Sequence, residues 1–553
     1  MSFSLSPSVQ VTETDLSLYV NNVASSIGAM VGFFDWGPVE QVTLVDSERT
    51  LVSKFGKPSD SNFFDWFPAF NFLSYSNNLK LVRVVDSAVA LNAAAGESTT
   101  TQGTYDVANS VGALIKNFND WEAKTNTLQV AANKVAVYAR YPGSVGNNIK
   151  VELFDASSYA VATSKNLFPY APTGDDIFVN VQFADNGVDF VTVEQFMVSK
   201  NPAAINPATG KSNFIDNVVN QTSRYIYVNS ASIFSGTPGT YTNVHFEGPL
   251  TGGVDGNVSG SAGDNERAFG WNLFLDAEAI DVNLLITGGS STLAGKSVLD
   301  NIASVRKDCI VLLSPQLSDV VGNATPITSI TTTRQVLGSS SYAMMDGNYK
   351  YQYDKYNDKY RWVAFNGDIA GLCALTDYTN DAWWSPAGLN RGGIKNVVKL
   401  AFNPSKAQRD DLYKEAVNPI TQFRGEGTVL FGDKTLQTKP SAFDRINVRR
   451  LFLVLEKAIA TAANKQLFEF NDRQTRNAFV NMVEPFLRNV KARRGIYDYK
   501  VVADETNNTS AVIDSNEFVA DIYIKPARSI NFIQLNFAAV SSSVTFNEIL
   551  LGK

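Results

Sequence analysis

The chain has 553 residues, 44% of them hydrophobic and 18% charged, with 37 glycines, 21 tyrosines, two cysteines and one histidine. That length is too great for one ordinary core and predicts roughly three or four domains, with ample apolar material to bury. A net charge of −7 argues against a nucleic-acid binder as a whole, two isolated thiols argue against a disulfide framework, and no run approaches the roughly 18 to 20 apolar residues of a bilayer span.

The start, MSFSLSPSVQVTETD, lacks the basic and apolar regions of a signal peptide, so a protein made and assembled in a cytoplasm is expected. Ser8 to Thr14 alternates as a strand does, but Pro7 and a polar lead-in place it in an arm of about 20 residues, outside any compact core. An α/β-like region follows: a strand over Val39–Val45, a short helix over Ser47–Phe55 and a buried strand over Leu79–Val85. From about Ala88 to Ser261 charged helical patterns vanish. Short β-like runs (VAVYARYPG, NIKVELF, DIFVNVQF, FVTVEQFMV, YIYVNS) alternate with turns, as in an all-β domain. Helix and strand patterns resume after Asp264, so this block reads as an insertion into a loop of the first region; a tandem β-domain is the alternative.

A helix to about Ala279, a strand over Val282–Thr287, a helix over Thr292–Arg306 and a strand over Cys309–Ser314 then suggest a doubly wound core. In DGNYKYQYDKYNDKYRW, Tyr349, Tyr351 and Tyr353 alternate with polar residues, Asn357-Asp358 breaks the run, and Tyr360 and Trp362 resume it. This predicts a β-hairpin with an aromatic face. A helix is expected from Gly393 to Phe402, and a capping box at Ser405-Lys406-Ala407-Gln408 launches another that stops before Asn418-Pro419. In the last third, Val448, Leu451, Phe452, Leu455 and Ile459 form one apolar helical stripe. A second helix carries Phe479, Met482, Val483, Phe486, Leu487 and Val490, with a kink or restart expected at Pro485. Phe518, Ala520, Ile522 and Ile524 share one face of a strand, and Ile533, Leu535 and Phe537 share another.

Chemistry is scarce. Gly288 to Ser297 (GGSSTLAGKS) follows a strand and opens a helix as a phosphate loop does, but the position that needs the first glycine is Ser290, with Gly289 one place off. Any imidazole catalysis or histidine metal cluster must pass through His245, in YTNVHFEGPL, which has no serine nucleophile motif beside it. The hairpin lysines are offset by Asp346, Asp354 and Asp358, which favours a packed, ion-paired sheet surface over nucleic-acid stacking. No catalytic residue, metal ligand or cofactor is assigned. One charge feature stands out: Arg445 to Arg494 holds 11 Lys and Arg against 4 Asp and Glu. Such a concentration suggests a basic surface that meets an acidic partner.

The hairpin, IAGLCA at Ile369, SPAGLNRG at Ser385, AQRDDLY at Ala407, FDRINVRRLF at Phe443 and PARSINFIQLNF at Pro526 keep an order and spacing that closely resembles the contractile tail sheath proteins of T-even-type bacteriophages. SPSVQVTET, GFFDWGPVEQVTLV and LVRVVD extend the likeness N-terminally, and LFGDKT, FEFND, GIYDYKVV and VIDSNEFVA extend it C-terminally. In the inserted block it is confined to YPGSVGNNIKVEL and the Gly252-Gly253 turn, and an outermost β-domain of that family looks missing or shortened.

The resemblance implies an α+β multidomain chain. Its parts are an N-terminal strand arm (1–20), an α/β sheath core (21–87 and 262–416), an inserted outer all-β domain (88–261), an α/β tube-facing C-terminal domain (417–537) and a C-terminal arm (538–553). It implies stacked hexameric rings around a tail tube, joined by exchanged terminal strands, in a virion tail that contracts to eject DNA through the host envelope. The strand-exchange candidates are Val9, Val11, Phe546 and Ile549; an arm of 20 residues reaches roughly 65 Å, far enough to enter a neighbour. The expected tube contacts are Arg488, Lys491, Arg493 and Arg494. Partners are then further copies, the tail tube protein, and baseplate and tail terminator proteins, without nucleic acid or membrane insertion. A headless contractile injection particle is the near alternative and a nucleotide-binding enzyme the remote one.

Overall fold

The computed structural model describes residues 23–96, 113–129, 135–229, 245–258, 260–531 and 534. Both expected arms, with Val9, Val11, Phe546 and Ile549, lie outside the described residues, as does the expected strand through Ile533 and Phe537.

Seven strands form the central sheet, in the order Val417–Asn418, Ala343–Asp346, Ile310–Leu313, Leu284–Ile286, Gly28–Phe33, Leu79–Val84 and Thr43–Val45. All neighbours run parallel except the last pair. Successive side chains leave a strand on opposite faces. Ala29, Val31 and Phe33 therefore enter one core with Trp271, Ile302 and Ile330, while Met30 enters the other with Trp66, Phe72 and Ile369. Helices cover both faces, which is why these strands read as continuous apolar runs rather than alternating ones. The division expected between 416 and 417 runs through this body: Val417–Asn418 is its edge strand, and Ile420, Leu430 and Leu436 pack into its two cores.

The two helical layers are tied through a fully buried ion pair. Arg267, on helix Asp264–Asn272, grips Asp65, on helix Phe63–Leu73, through contacts of 3.0 and 2.7 Å. Asp65 also accepts the amides of Phe33 and Gly289, each at 2.9 Å. The turn that resembled a phosphate loop thus points an amide at an internal carboxylate. Gly288 adopts φ +57°, and a Cβ there would lie 2.6 Å from Asp65 Oδ1, so the glycine is required by packing.

Tyr349–Asp354 and Lys359–Ala364 pair as the expected hairpin, with Asp358 at φ 50° in the turn. Tyr351 stacks on Tyr360 at 5.3 Å and touches Trp362 at 4.7 Å, forming the aromatic face. The expected helix over Gly393–Phe402 does not form. Its segment is extended, because the amides of Ile394, Val398 and Ala401 donate to carbonyls of Thr428, Tyr351 and Tyr349, and Lys399–Leu400 becomes the hairpin's third strand. The hairpin cations are paired, but mostly at long range: Lys350 with Asp368, Lys359 and Arg361 with Asp60, Lys355 with Glu48, and Arg361 also with nearby Asp354.

The inserted block holds a four-stranded antiparallel sheet (His245–Pro249, Ile149–Asp155, Asp176–Phe183, Val191–Ser199) and a three-stranded one (Ala94–Gly96, Val135–Ala139, Ile226–Val228). Among the described residues it also carries two α-helices, Phe118–Gln129 and Ile215–Thr222, the first anchored by Trp121 stacked at 4.7 Å on Tyr227. The chain enters and leaves side by side: the Asp86 amide donates to Gly256, and Leu91 bridges Val254. Buried Arg83, on a core strand, spans this junction by donating to Gly37 and Pro142 carbonyls. Among the described residues no helix is long and apolar enough to cross a membrane.

Candidate assembly surface

Beyond the central sheet, helices Ile446–Ala463 and Arg473–Ala492 pack as an antiparallel pair. The first has two apolar sides. Ile446 and Leu453 enter the core cluster, while Leu451, Leu455, Ala458 and Ile459 meet Phe479, Val483, Phe486 and Leu487 of the second helix. The second runs unbroken through Pro485. The helix therefore does not restart there, and both Pro485 and Asn481, whose carbonyl loses its N–H partner to the proline, are exposed.

Strands Ile496–Val502 and Asp521–Pro526 lie against this helix pair as a two-stranded antiparallel sheet. Tyr499, Val501, Ile522 and Ile524 face the helices, while Tyr497 and Tyr523 stay exposed. Packing against the helices supports this pair of strands, while both outer edges are unpaired among the described residues. Each chain end leaves from this neighbourhood. Val23 packs against the helix pair's core, and Ser25 donates to Asp377. At the other end Ser529 and Asn531 donate to Asp433 at 2.7 and 3.1 Å.

The basic stretch resolves into two populations. Arg449, Arg450 and Arg476 are buried. Arg449 stacks on Phe443 at 3.9 Å and donates to Ser341 at 2.7 Å; Arg450 pairs with Asp377 at 2.5 Å. Burial pushes the Asp377 carboxyl up, and the adjacent guanidinium opposes that rise. These arginines hold the interior together and contribute no surface. Arg488, Lys491, Arg493 and Arg494 do share one exposed place, the C-terminal end of the second helix. Cations are favoured there by the helix dipole. Lys491 pairs with Asp498 at 2.8 Å, and its hydrogen bond holds that carboxyl below the usual range. Arg493 pairs with Asp381 and lies over Trp383.

This cationic end opens into a groove of about 1120 Å³ between the helix pair and the core, with Trp383, Trp384, Phe431 and Tyr497 in its walls. The sequence reading missed the groove; its only signal was the tandem Trp383-Trp384 in a polar run. His245 lies within ligand distance of Glu152 and Glu247. Lys150 pairs with Glu247 at 2.7 Å. Burial raises the Glu152 carboxyl, but hydrogen bonds from Ser164 and Thr163 outweigh it and hold the group low.

Three family models match the chain: the tail sheath protein Gp18 domain III N-terminal region over residues 25–84, the phage tail sheath protein central domain over 270–436, and the phage tail sheath C-terminal domain over 438–539. The tail sheath proteins of Vibrio phage KVP40 and Enterobacteria phage T4 are each 34% identical to it, with 99% of both chains covered. The chain belongs to the phage tail sheath protein family. The tail sheath protein of Salmonella phage ViI is 31% identical over 100% of this chain and 98% of its own. The fold is that of solved sheath proteins. Lin1278 from Listeria innocua superposes with a TM-score of 0.54 at 12% identity, covering 91% of this chain and 96% of its own. The contracted sheath complex of the extracellular contractile injection system PVC superposes with 0.52 at 13% identity, covering 97% and 98%. As a sheath protein, the chain has a structural, contractile role, and the surfaces that matter are those that meet other subunits.

Proposed function

We propose that this sheath protein polymerises as stacked hexameric rings around a tail tube and contracts to drive that tube through the host envelope. The observation that carries the reading is the two-stranded sheet whose edges are both unpaired among the described residues, close to the two ends of the described stretch, at Val23 and Ser529. Arms carrying Val9, Val11, Phe546 and Ile549 add strands to these edges in adjoining copies. Strand addition satisfies backbone groups along its whole length, so the link persists while the domains it connects rotate.

Contraction brings outer faces of the core into larger contact while the exchanged strands stay paired. Each extra 100 Å² of apolar contact contributes at most about 2.5 kcal/mol, before ordering and polar terms are subtracted. Many subunits moving together supply the work without a nucleotide. Arg488, Lys491, Arg493 and Arg494 face the tube, and baseplate and tail terminator proteins cap the two ends of the sheath, which is assembled in the host cytoplasm and carried in the virion.

The arms are tested by removing residues 1–20 and 538–553: folded chains that no longer form tubes are expected, and normal tubes would refute strand exchange. Reversing the charge at Lys491, Arg493 and Arg494 tests the tube contact. Assembly on tubes at low salt should weaken, and unchanged assembly would refute it.

A further inference from the structure

The turn between the two C-terminal helices ends in an apolar knob that no described residue covers. Phe468 and Phe470 are 104% and 85% exposed, and Leu467 is 62% exposed. Phe468 sits at φ 70°, a backbone region that a bulky side chain rarely adopts. Two bare phenylalanines in a strained turn mark a contact surface. The same end of the helix pair is rich in exposed acids: Glu469 lies between the phenylalanines, with Asp472, Asp504, Glu505, Asp514 and Glu517 around them. That these belong to one end follows from Asn471 donating to the Glu517 carbonyl and Arg476 approaching Glu505.

The groove lies at the opposite end. Asn447, at the start of the first helix, and Lys491 and Arg494, at the end of the second, line it. Its cations are Arg391, Lys406, Arg409, Lys491, Arg494 and Arg528, against Asp410 and Asp433. Of these two acids, Asp433 is already paired with Arg445. Its apolar wall includes Trp384, Phe431, Tyr497 and Ile530. At about 1120 Å³ the groove exceeds the roughly 300–1,000 Å³ of a small-molecule pocket and suits a chain segment.

We propose that the Leu467–Phe470 knob of one copy seats in this groove of the next, with Phe468 and Phe470 against the aromatic wall and Glu469 among the cations. The helices contain 18 and 20 residues, so knob and groove stand about 27–30 Å apart at opposite ends of a rigid pair. A chain cannot fill its own groove with its own knob. A patch and a complementary pocket at separate places on one molecule make a head-to-tail contact, the kind that builds helical polymers. The contact adds a second link, independent of the arms, and narrows the tube contact proposed above to Arg488 and Arg493, which do not line the groove, because Lys491 and Arg494 meet the neighbouring knob.

The inference rests on the sheath reading, and its test separates the two. In the full chain, F468S/F470S should leave the melting temperature unchanged, because both side chains are exposed, and should raise the concentration needed for tube formation at least about tenfold. A paired test mixes chains carrying F468C alone with chains carrying I530C alone; the native cysteines, Cys309 and Cys373, are buried. Mild oxidation of mixed tubes should give a disulfide dimer that neither variant forms by itself. Unchanged assembly of F468S/F470S, no mixed dimer in tubes, or crosslinking of I530C to a cysteine at Val9 instead overturns the knob contact while the sheath reading stands. A wild-type chain that never polymerises overturns both.

Discussion

The seven-stranded sheet is covered by helices on both faces, and its inner strands find a neighbour on each side; the sheet of Ile496–Val502 and Asp521–Pro526 is covered on one face and open along both edges among the described residues. The ionic groups divide in the same way. Asp65, Arg267, Lys350 and Asp368 are sealed inside the core, whereas Arg488, Lys491, Arg493 and Arg494 stand at an exposed helix end. One part of the chain pairs its own strands and buried charges, while the other leaves strand edges that are open among the described residues for a second copy to pair. A machine that shortens without breaking needs both, since a moving body must keep its shape while its links persist.

Breaking the rigid half should have the largest effect. Asp65→Ala strands Arg267 in a dry interior and should cost about 3–5 kcal/mol, read as a lower denaturant midpoint of the free chain. Leu487→Ala, in the cluster between the C-terminal helices, should cost about 2–5 kcal/mol. Exchange measured residue by residue should show its effect centred on the helix pair and its sheet rather than on the seven-stranded core.

A smaller effect sharpens the contrast through pH. Burial pushes the Asp346 carboxyl up to about 7, opposed by hydrogen bonds from Ser314 and the Asn348 amide. The folded chain therefore holds a proton that the unfolded chain releases near pH 4, so this group's contribution to stability falls as pH rises from about 4 through 7. The slope is at most about 1.4 kcal/mol per pH unit. Asp346→Asn should flatten that slope, seen in melting temperatures across the window. The smallest effect belongs to the open half: Tyr523→Ala, on the exposed face of the two-stranded sheet, should change the free chain's stability by less than about 0.5 kcal/mol.

Local patterns announced local structure. The tyrosine alternation found the hairpin, Ser405 and Gln408 form the capping box, and Leu451, Leu455 and Ile459 of the expected stripe are buried between the helices, whereas Phe452 lies half-buried against Phe443. Long-range partners decided the rest. Ile394, Val397, Val398 and Ala401 are spaced as on a helix, yet carbonyls of the hairpin and of Thr428 draw their segment into extended pairing. The excess of lysine and arginine after Arg445 read as one surface, but Arg449, Arg450 and Arg476 turn inward to ring faces, Asp377 and Asn471. Composition counts charges without saying where side chains point. The groove joins residues from Trp383 to Asn531, a constellation that no single stretch displays.

The most direct test of strand exchange is amide hydrogen exchange along the outer edges of Ile496–Val502 and Asp521–Pro526, compared between the free chain and assembled tubes. Added strands should slow the outward-facing amides by at least about a hundredfold on assembly. Amides that exchange in tubes as fast as in the free chain would contradict the account.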